Sequence, residues 1–250
     1  MPLGRYFMIK RILPASLLLT VAFFAVGGCG GNGGGGGGGG PCPEINTGIE
    51  VCDPETGGPF SLVIDNGFFP VIVGSETVLE GIDDEGTLVR VETTVPDETE
   101  VVAGVTTQVL VETEFEDDEL VEQSRNFYAQ APDGTVCYFG EDVDIYEDGE
   151  IVSHDGAWRA GEDGNLPGIQ MPGDPEIGMV FMQEFAPGIA EDQTEILAFG
   201  EEIDVPAGTF SDTLTAEDCN PLDESTDLKV YVDGIGLAID EFAELISFTE

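Results

Sequence analysis

Beyond about residue 60, apolar and polar side chains alternate with a period of two along much of the chain, the pattern of half-buried strands rather than of helices. In 105–115, Val105, Thr107, Val109, Val111, Thr113 and Phe115 fall on one face, with Thr106, Gln108, Glu112 and Glu114 on the other; only Leu110 interrupts the rhythm. Residues 87–95 repeat it, with Val89, Val91 and Val95 expected inward against Arg90, Glu92 and Thr94, and Leu228, Val230 and Val232 are expected inward against Lys229. The acidic face of these strands is expected to meet solvent. Turn sequences separate the runs: Asp84-Glu85-Gly86, Val102-Ala103-Gly104, Pro132-Asp133-Gly134, Glu147-Asp148-Gly149, Pro206-Ala207-Gly208 and Asp233-Gly234. With no long stretch of period 3.6, this predicts an all-β fold, an antiparallel meander that forms a barrel or half-barrel. Helix is expected for little more than a turn or two, around 186–193 or 240–245. The Gly- and Pro-rich stretch 160–178 reads as a packed crossover covering one end of the barrel, with Ile169 and Met171 tucked against the sheet.

The chain's start has a different character. Arg5, Lys10 and Arg11 precede an apolar run over 12–26 that ends in Val26-Gly27-Gly28-Cys29. A basic start, a core of about 15 apolar residues and small residues before a cysteine are the layout of a lipoprotein signal peptide, whereas a spanning helix needs about 20. Residues 1–28 are therefore expected to be removed and Cys29 to carry the lipid; the plainer alternative is an ordinary signal peptide and a free thiol. Two or three acyl chains would hold the protein firmly, at about 0.8 kcal/mol per buried methylene. Gly30 in place of aspartate favours the outer membrane in a host with two membranes. Ten glycines and Asn32 fill 30–40, a flexible tether of roughly 18 Å r.m.s. reach. Residues 41–250 remain as a single acidic domain, long enough for a core of its own.

Charge narrows the function classes. All 51 acidic residues lie beyond residue 28, where only Arg90, Arg125, Arg159 and Lys229 are basic, so that portion carries a net charge of −47. Such a surface repels nucleic acid and anionic lipid headgroups, which removes nucleic acid from the expected partners. The acids are spread along the chain rather than clustered, which fits a solvated coat suited to saline surroundings better than cation capture. The 41% hydrophobic content and the regular alternation argue against disorder.

Four cysteines follow Cys29: Cys42, Cys52, Cys137 and Cys219. In an exported chain an even number predicts two disulfides. Of the three pairings, Cys42 with Cys52 and Cys137 with Cys219 is expected, the first closing a short Pro-bearing loop. Zinc is disfavoured by a single histidine and the absence of C-x-x-C spacing.

Ser153, His154 and Asp155 hold the residue types of a hydrolase triad, but consecutive strand residues point to alternate sides and cannot relay a proton. No catalytic residue is assigned. Asp142, Asp144, Glu147, Asp148 and Glu150 form the densest acidic cluster, and Asp142, Asp144 and Asp148 are the candidates for weak calcium binding, although Tyr146 occupies the third position of a loop counted from Asp144. A hairpin turn explains the same residues. Phe127, Tyr128, Tyr138, Phe139, Trp158, Phe181 and Phe185 cluster with Met179 and Met182; Phe127, Tyr138, Trp158 and Phe181 would line an apolar cavity with Arg159 at its mouth, or else pack as ordinary core.

Asn66-Gly67-Phe68-Phe69-Pro70, the stretch 126–144 (NFYAQAPDGTVCYFGEDVD), Gly156-Ala157-Trp158-Arg159-Ala160-Gly161, Val205-Pro206-Ala207-Gly208-Thr209-Phe210 and the closing 231–237 resemble a family of uncharacterised bacterial secreted lipoproteins. Members read as Asn-Pro-aromatic-Phe-Pro, then WYAQ and DGNVWYFGED, then Gly-Val-Gly. This chain departs with Gly67 for proline, Phe127 for tryptophan and Cys137 for tryptophan, the last implying a disulfide acquired together with Cys219. The resemblance implies an intact extracytoplasmic domain and supplies no site residues. The expectation is a membrane-anchored, non-enzymatic protein binding a hydrophobic ligand or an envelope partner. The alternatives are a purely structural envelope component and a carboxylate-based or calcium-dependent hydrolase.

Overall fold

The computed structural model describes residues 42–249. Residues 1–28, Cys29 and the glycine tether lie outside them. Among the described residues the chain forms seventeen strands: β1 (Glu76–Ile82), β2 (Leu88–Thr94), β3 (Thr99–Val102), β4 (Val105–Glu116), β5 (Glu119–Gln130), β6 (Val136–Glu147), β7 (Glu150–Ser153), β8 (Trp158–Arg159), β9 (Gly168–Met171), β10 (Val180–Met182), β11 (Gln193–Phe199), β12 (Ile203–Val205), β13 (Gly208–Phe210), β14 (Thr213–Asn220), β15 (Ser225–Val232), β16 (Gly236–Asp240) and β17 (Ala243–Thr249). One 3₁₀ turn, Glu50–Cys52, precedes them. The two segments expected to offer a helical turn do not: Ala186 and Ala190 face each other in a bridge, and 240–245 holds the end of β16, a two-residue turn and the start of β17.

Fifteen strands make one antiparallel sheet in the order β10-β11-β14-β15-β16-β17-β1-β2-β4-β5-β6-β7, with β3 on β4 and with β8 and β9 on β6. The sheet is an open meander that curls as a half-barrel. Its two ends approach where the Leu166 N–H donates to the Phe185 carbonyl at 3.0 Å. Gly168 permits that approach, since a Cβ there would stand 1.9 Å from the Gln183 carbonyl oxygen. The stretch 160–178 is thus a structured crossover, with Ile169 and Met171 buried on β9 as expected. At the far edge, Asp148 and Gly149 turn β6 into β7 with φ of +53° and +79°, a hairpin turn that Asp-Gly adopts readily.

The faces differ from the simplest reading of the alternation. Val91 on β2 and Val95 just after it face the concave side as expected, joined by Thr93, but on β4 it is Leu110, Glu112 and Glu114 that line the interior. On β15, Lys229 and Tyr231 point inward while Leu228 is exposed. The reason lies outside the strands: residues 42–64 cover the convex side of β5 and β6, and the β12–β13 hairpin covers Val232 of β15, so apolar side chains are buried on that side too. Phe60 packs edge-on against Phe139 at 5.5 Å, and Asn46 ties the segment to β10 through Gly178 and Val180. Burying a phenylalanine this fully contributes roughly 1.5–3 kcal/mol. A second apolar cluster, around Leu79, Val232 and Leu245, lies under the β12–β13 hairpin.

Both disulfides form, but with a different pairing: Cys42 with Cys219 and Cys52 with Cys137. Cys137 and Cys219 sit on β6 and β14, with β9, β10 and β11 between them around the sheet. At roughly 4.8 Å per strand they are far beyond the roughly 7 Å a disulfide can span. Each instead staples the covering segment to a strand, so Cys137 and Cys219 are not partners.

Candidate functional site

The half-barrel surrounds a partly open cavity of about 140 Å³. Its walls are mixed: Leu79, Val91, Val95, Leu110 and Leu237 give it an apolar part, and polar side chains stand among them. Glu112, Glu114, Glu122, Glu184 and Asp240 contribute five carboxyls, Lys229 one ammonium, and Ser124, Asn126, Gln170 and Gln183 uncharged donors and acceptors. Tyr128, Tyr138 and Tyr231 add ring surface, with Tyr128 and Tyr138 stacked at 4.7 Å between centroids. Phe69 and Pro70 form part of the wall. They are held by Asn66, whose side chain accepts from the Phe68 and Phe69 N–H groups and donates to the Gly134 and Pro172 carbonyls.

Strand irregularities aim these groups. Asn126 and Tyr128 on β5 face inward, which turns Phe127 outward. On β6 the register shifts between the Asn126–Glu141 and Tyr128–Tyr138 pairs, across Gly140 at φ +121°. Glu141 thereby comes against the Tyr138 phenol, although an unbroken strand would send residues three apart to opposite faces. A Cβ at Gly140 would lie 2.3 Å from the Trp158 carbonyl, so glycine is required there. The Tyr138 hydroxyl donates to the Asn126 side-chain oxygen at 2.5 Å, and Asn126 in turn donates to Ser124 Oγ at 3.0 Å.

Electrostatics follow from burial. Desolvation, followed by the charge of Glu184, pushes the Glu141 carboxyl well above the ordinary range. Glu112 and Asp240 are also raised by desolvation, and Lys229 pulls both back toward ionisation. Burial pushes Glu184 up to about 7; its carboxyl stands near that of Asp192, itself raised by desolvation and then by the charge of Glu184. The Trp158 indole lies beside the same carboxyl without the alignment of a hydrogen bond. Lys229 is buried and 3.2 Å from Asp218 and 3.7 Å from Asp240. Desolvation works against its charge, but Asp240 and Asp218 outweigh it and keep the ammonium protonated.

No family model matches the chain, and no curated protein matches it. Among solved structures, the chain is similar to a crystal structure of a protein provisionally described as a lipoprotein, from Parabacteroides distasonis. The identity is 15%, over 74% of this chain and 99% of that one, with a TM-score of 0.36. So distant a likeness carries no argument about the site.

The sequence candidates divide between the two sides of the sheet. Tyr138 lines the cavity, and Trp158 supports it edge-on at 5.4 Å. Phe127 and Arg159 lie together outside it, with the guanidinium 4.7 Å above the ring and bound to Asp142 at 2.6 Å and Glu100 at 3.2 Å. Arg159 is therefore not at the cavity mouth. Phe181 is fully buried in the main core without touching the cavity. The walls mix aliphatic and aromatic side chains with carboxyl, amide and phenol groups. Of the calcium candidates, Asp142 is held by Arg159, Asp144 lies 2.8 Å from His154 Nδ1, and Asp148 belongs to the hairpin turn. Among the described residues no three His, Cys, Asp or Glu side chains come together as metal ligands. Ser153 accepts from the Asp155 N–H while His154 faces the Val143 carbonyl, so these three residues form no relay. Sequence reasoning missed Glu112, Glu141, Glu184, Asp192, Lys229 and Asp240 as site residues. The available signals were Lys229 as a lone base within an alternating strand and Glu184 as the one charge in 179–186.

Proposed function

We propose that the protein is an extracytoplasmic, membrane-anchored and non-enzymatic binding protein, tethered through Cys29, whose half-barrel holds a small polar ligand. The observation that carries this reading is a partly open cavity of about 140 Å³ whose walls set buried carboxyl, amide and phenol groups among aliphatic side chains. A filled interior, as a purely structural role would favour, has no reason to bury five carboxyls around a void, because burying ionisable groups works against folding. A lipid, the ligand expected from the aromatic residues, is larger than a space of about 140 Å³, and the buried carboxyls favour a ligand with polar groups.

A carboxylate-based hydrolase is the second reading, favoured by the raised affinity of Glu184 and Glu141 for protons. The cavity argues against it, since about 140 Å³ has little room for a sugar or peptide together with an attacking water. Native mass spectrometry of the chain purified from its own cells tests the binding reading. A retained adduct of low mass is expected. A bare protein mass, with and without chelator, would move the weight to a structural role, and turnover of glycoside or ester substrates that Glu184→Gln abolishes would favour the hydrolase.

A further inference from the structure

We propose that Lys229 Nζ and the Asp218 carboxyl condense to an amide, a covalent cross-link between the neighbouring strands β14 and β15.

The groups are placed for that reaction. Lys229 lies opposite Ala216 across the ladder and Asp218 opposite Asp227, so Lys229 and Asp218 are diagonal neighbours on one face. Their side chains are 7% and 1% exposed, and Nζ stands 3.2 Å from Asp218 Oδ2. Thr194 Oγ1 donates to Oδ1 of the same carboxyl at 2.6 Å, while Oδ2 takes no aligned hydrogen bond. One oxygen is thus held and polarised, and the other faces the amine. Directly across from Lys229 on β16, Asp240 Oδ1 lies 3.7 Å from Nζ. A nucleophile, the carbon it attacks, a donor for the oxygen that gains charge and a second carboxyl to carry a proton therefore meet from β11, β14, β15 and β16.

The step balances without a further reactant. One proton of the ammonium crosses to Asp218 Oδ2, which leaves a free amine beside a neutral acid. Nζ attacks Cγ, the C–N bond forms, and the electron pair displaced onto Oδ1 meets the Thr194 hydroxyl. Asp240 takes a second proton from the nitrogen and passes it to the Oδ2 hydroxyl, which leaves as water while the pair on Oδ1 returns. The third proton stays on the amide nitrogen. Desolvation raises the affinity of Asp240 for the proton it carries. The ion pair is the resting arrangement, but burial penalises its two charges and spares the neutral amine and acid. The reaction has to occur only once in each molecule, and groups held in reacting geometry reach effective concentrations of about 10⁵–10⁸ M. The bond closes a covalent ring within the β14–β15 hairpin beside Cys219 and, unlike the disulfide there, survives reductant.

Tryptic mapping of the full chain, denatured and reduced, tests the assignment, because Lys229 is the one basic residue beyond Arg159. The expected product is a single peptide 160–250, lighter by one water than the sequence requires, uncut after position 229 and fragmenting as a link between Asp218 and Lys229. Lys229→Arg keeps the charge and is expected to give 160–229 and 230–250 at their full masses. Asp218→Asn is expected to release ammonia instead of water and reach the same cross-linked mass as the parent chain, which a dehydration elsewhere does not produce. Asp240→Asn is expected to slow closure by about tenfold or more, read as the cross-linked fraction at fixed times after synthesis. A parent chain of full mass that trypsin cuts after Lys229 would overturn the proposal. So would a loss of water that persists in Lys229→Arg, or a link that maps to Asp240.

Discussion

Single residues inside the half-barrel carry unusually large consequences, because charge there has little solvent to screen it. Lys229 is the clearest case. Lys229→Met removes the counter-charge of Asp218 and Asp240, and breaking a buried pair from one side costs about 3–5 kcal/mol. Urea denaturation should register that loss, whereas Arg125→Met, which removes an exposed partner of Glu98, should change stability by no more than about 1 kcal/mol. Glu184 gives a pH signature with a definite sign. Its folded value is raised from 4.5 to about 7, so the folded chain holds the proton more tightly than the unfolded one. Its contribution to stability is fully present below about pH 4.5 and is lost as pH rises through about 7. Melting temperatures measured across that window should fall, and Glu184→Gln should flatten this component. Such residues were hard to read in advance. Alternation shows that Glu112 and Val111 oppose each other, but it does not say which side is covered, and here the acidic side of β4 is the interior.

Elements were more legible than the sides they present. The period-two runs, the Asp-Gly turn of β6 and β7 and the crossover carrying Ile169 and Met171 all appear where the pattern puts them. What the pattern could not carry is the fine steering of strands. The shift at Gly140 follows from close packing of β6 against β8, a contact between segments that one-dimensional periodicity does not encode. The segment 42–75, which supplies the cover, has no periodicity at all; side-chain hydrogen bonds from Asn46, Asn66 and Gln130 and the two disulfides hold it. Gly140→Val should force β8 off β6 and turn Glu141 away from the cavity. Trp158, the chain's one tryptophan, reports on this: its emission should shift to the red relative to the parent protein. The cover can be tested by peptide mapping under non-reducing conditions, which should recover Cys42 linked to Cys219 and Cys52 linked to Cys137. Removing either bond should cost about 2–5 kcal/mol, given the 177 and 85 residues that separate the partners.

The whole molecule is governed by its charge and by the path of its sheet. With 51 acids against seven bases, the exposed surface repels itself, and salt that shortens the screening length from about 10 Å at 0.1 M to about 3 Å at 1 M should stabilise the fold. The melting temperature should rise by several degrees over that range, and a flat response would mean that the coat is energetically idle. The sheet's path has a different consequence. Its first strand, β1, lies between β2 and the last strand, β17, with Glu76 beside Thr249. A chain emerging from its start can assemble the hairpins from β2 to β7, yet β1 keeps a bare edge until the final seven strand residues arrive. The sheet is therefore closed across β1 by the strand made last among those described, so a ribosome-bound chain lacking residues 243–249 should leave that edge of β1 open to exchange its amide hydrogens.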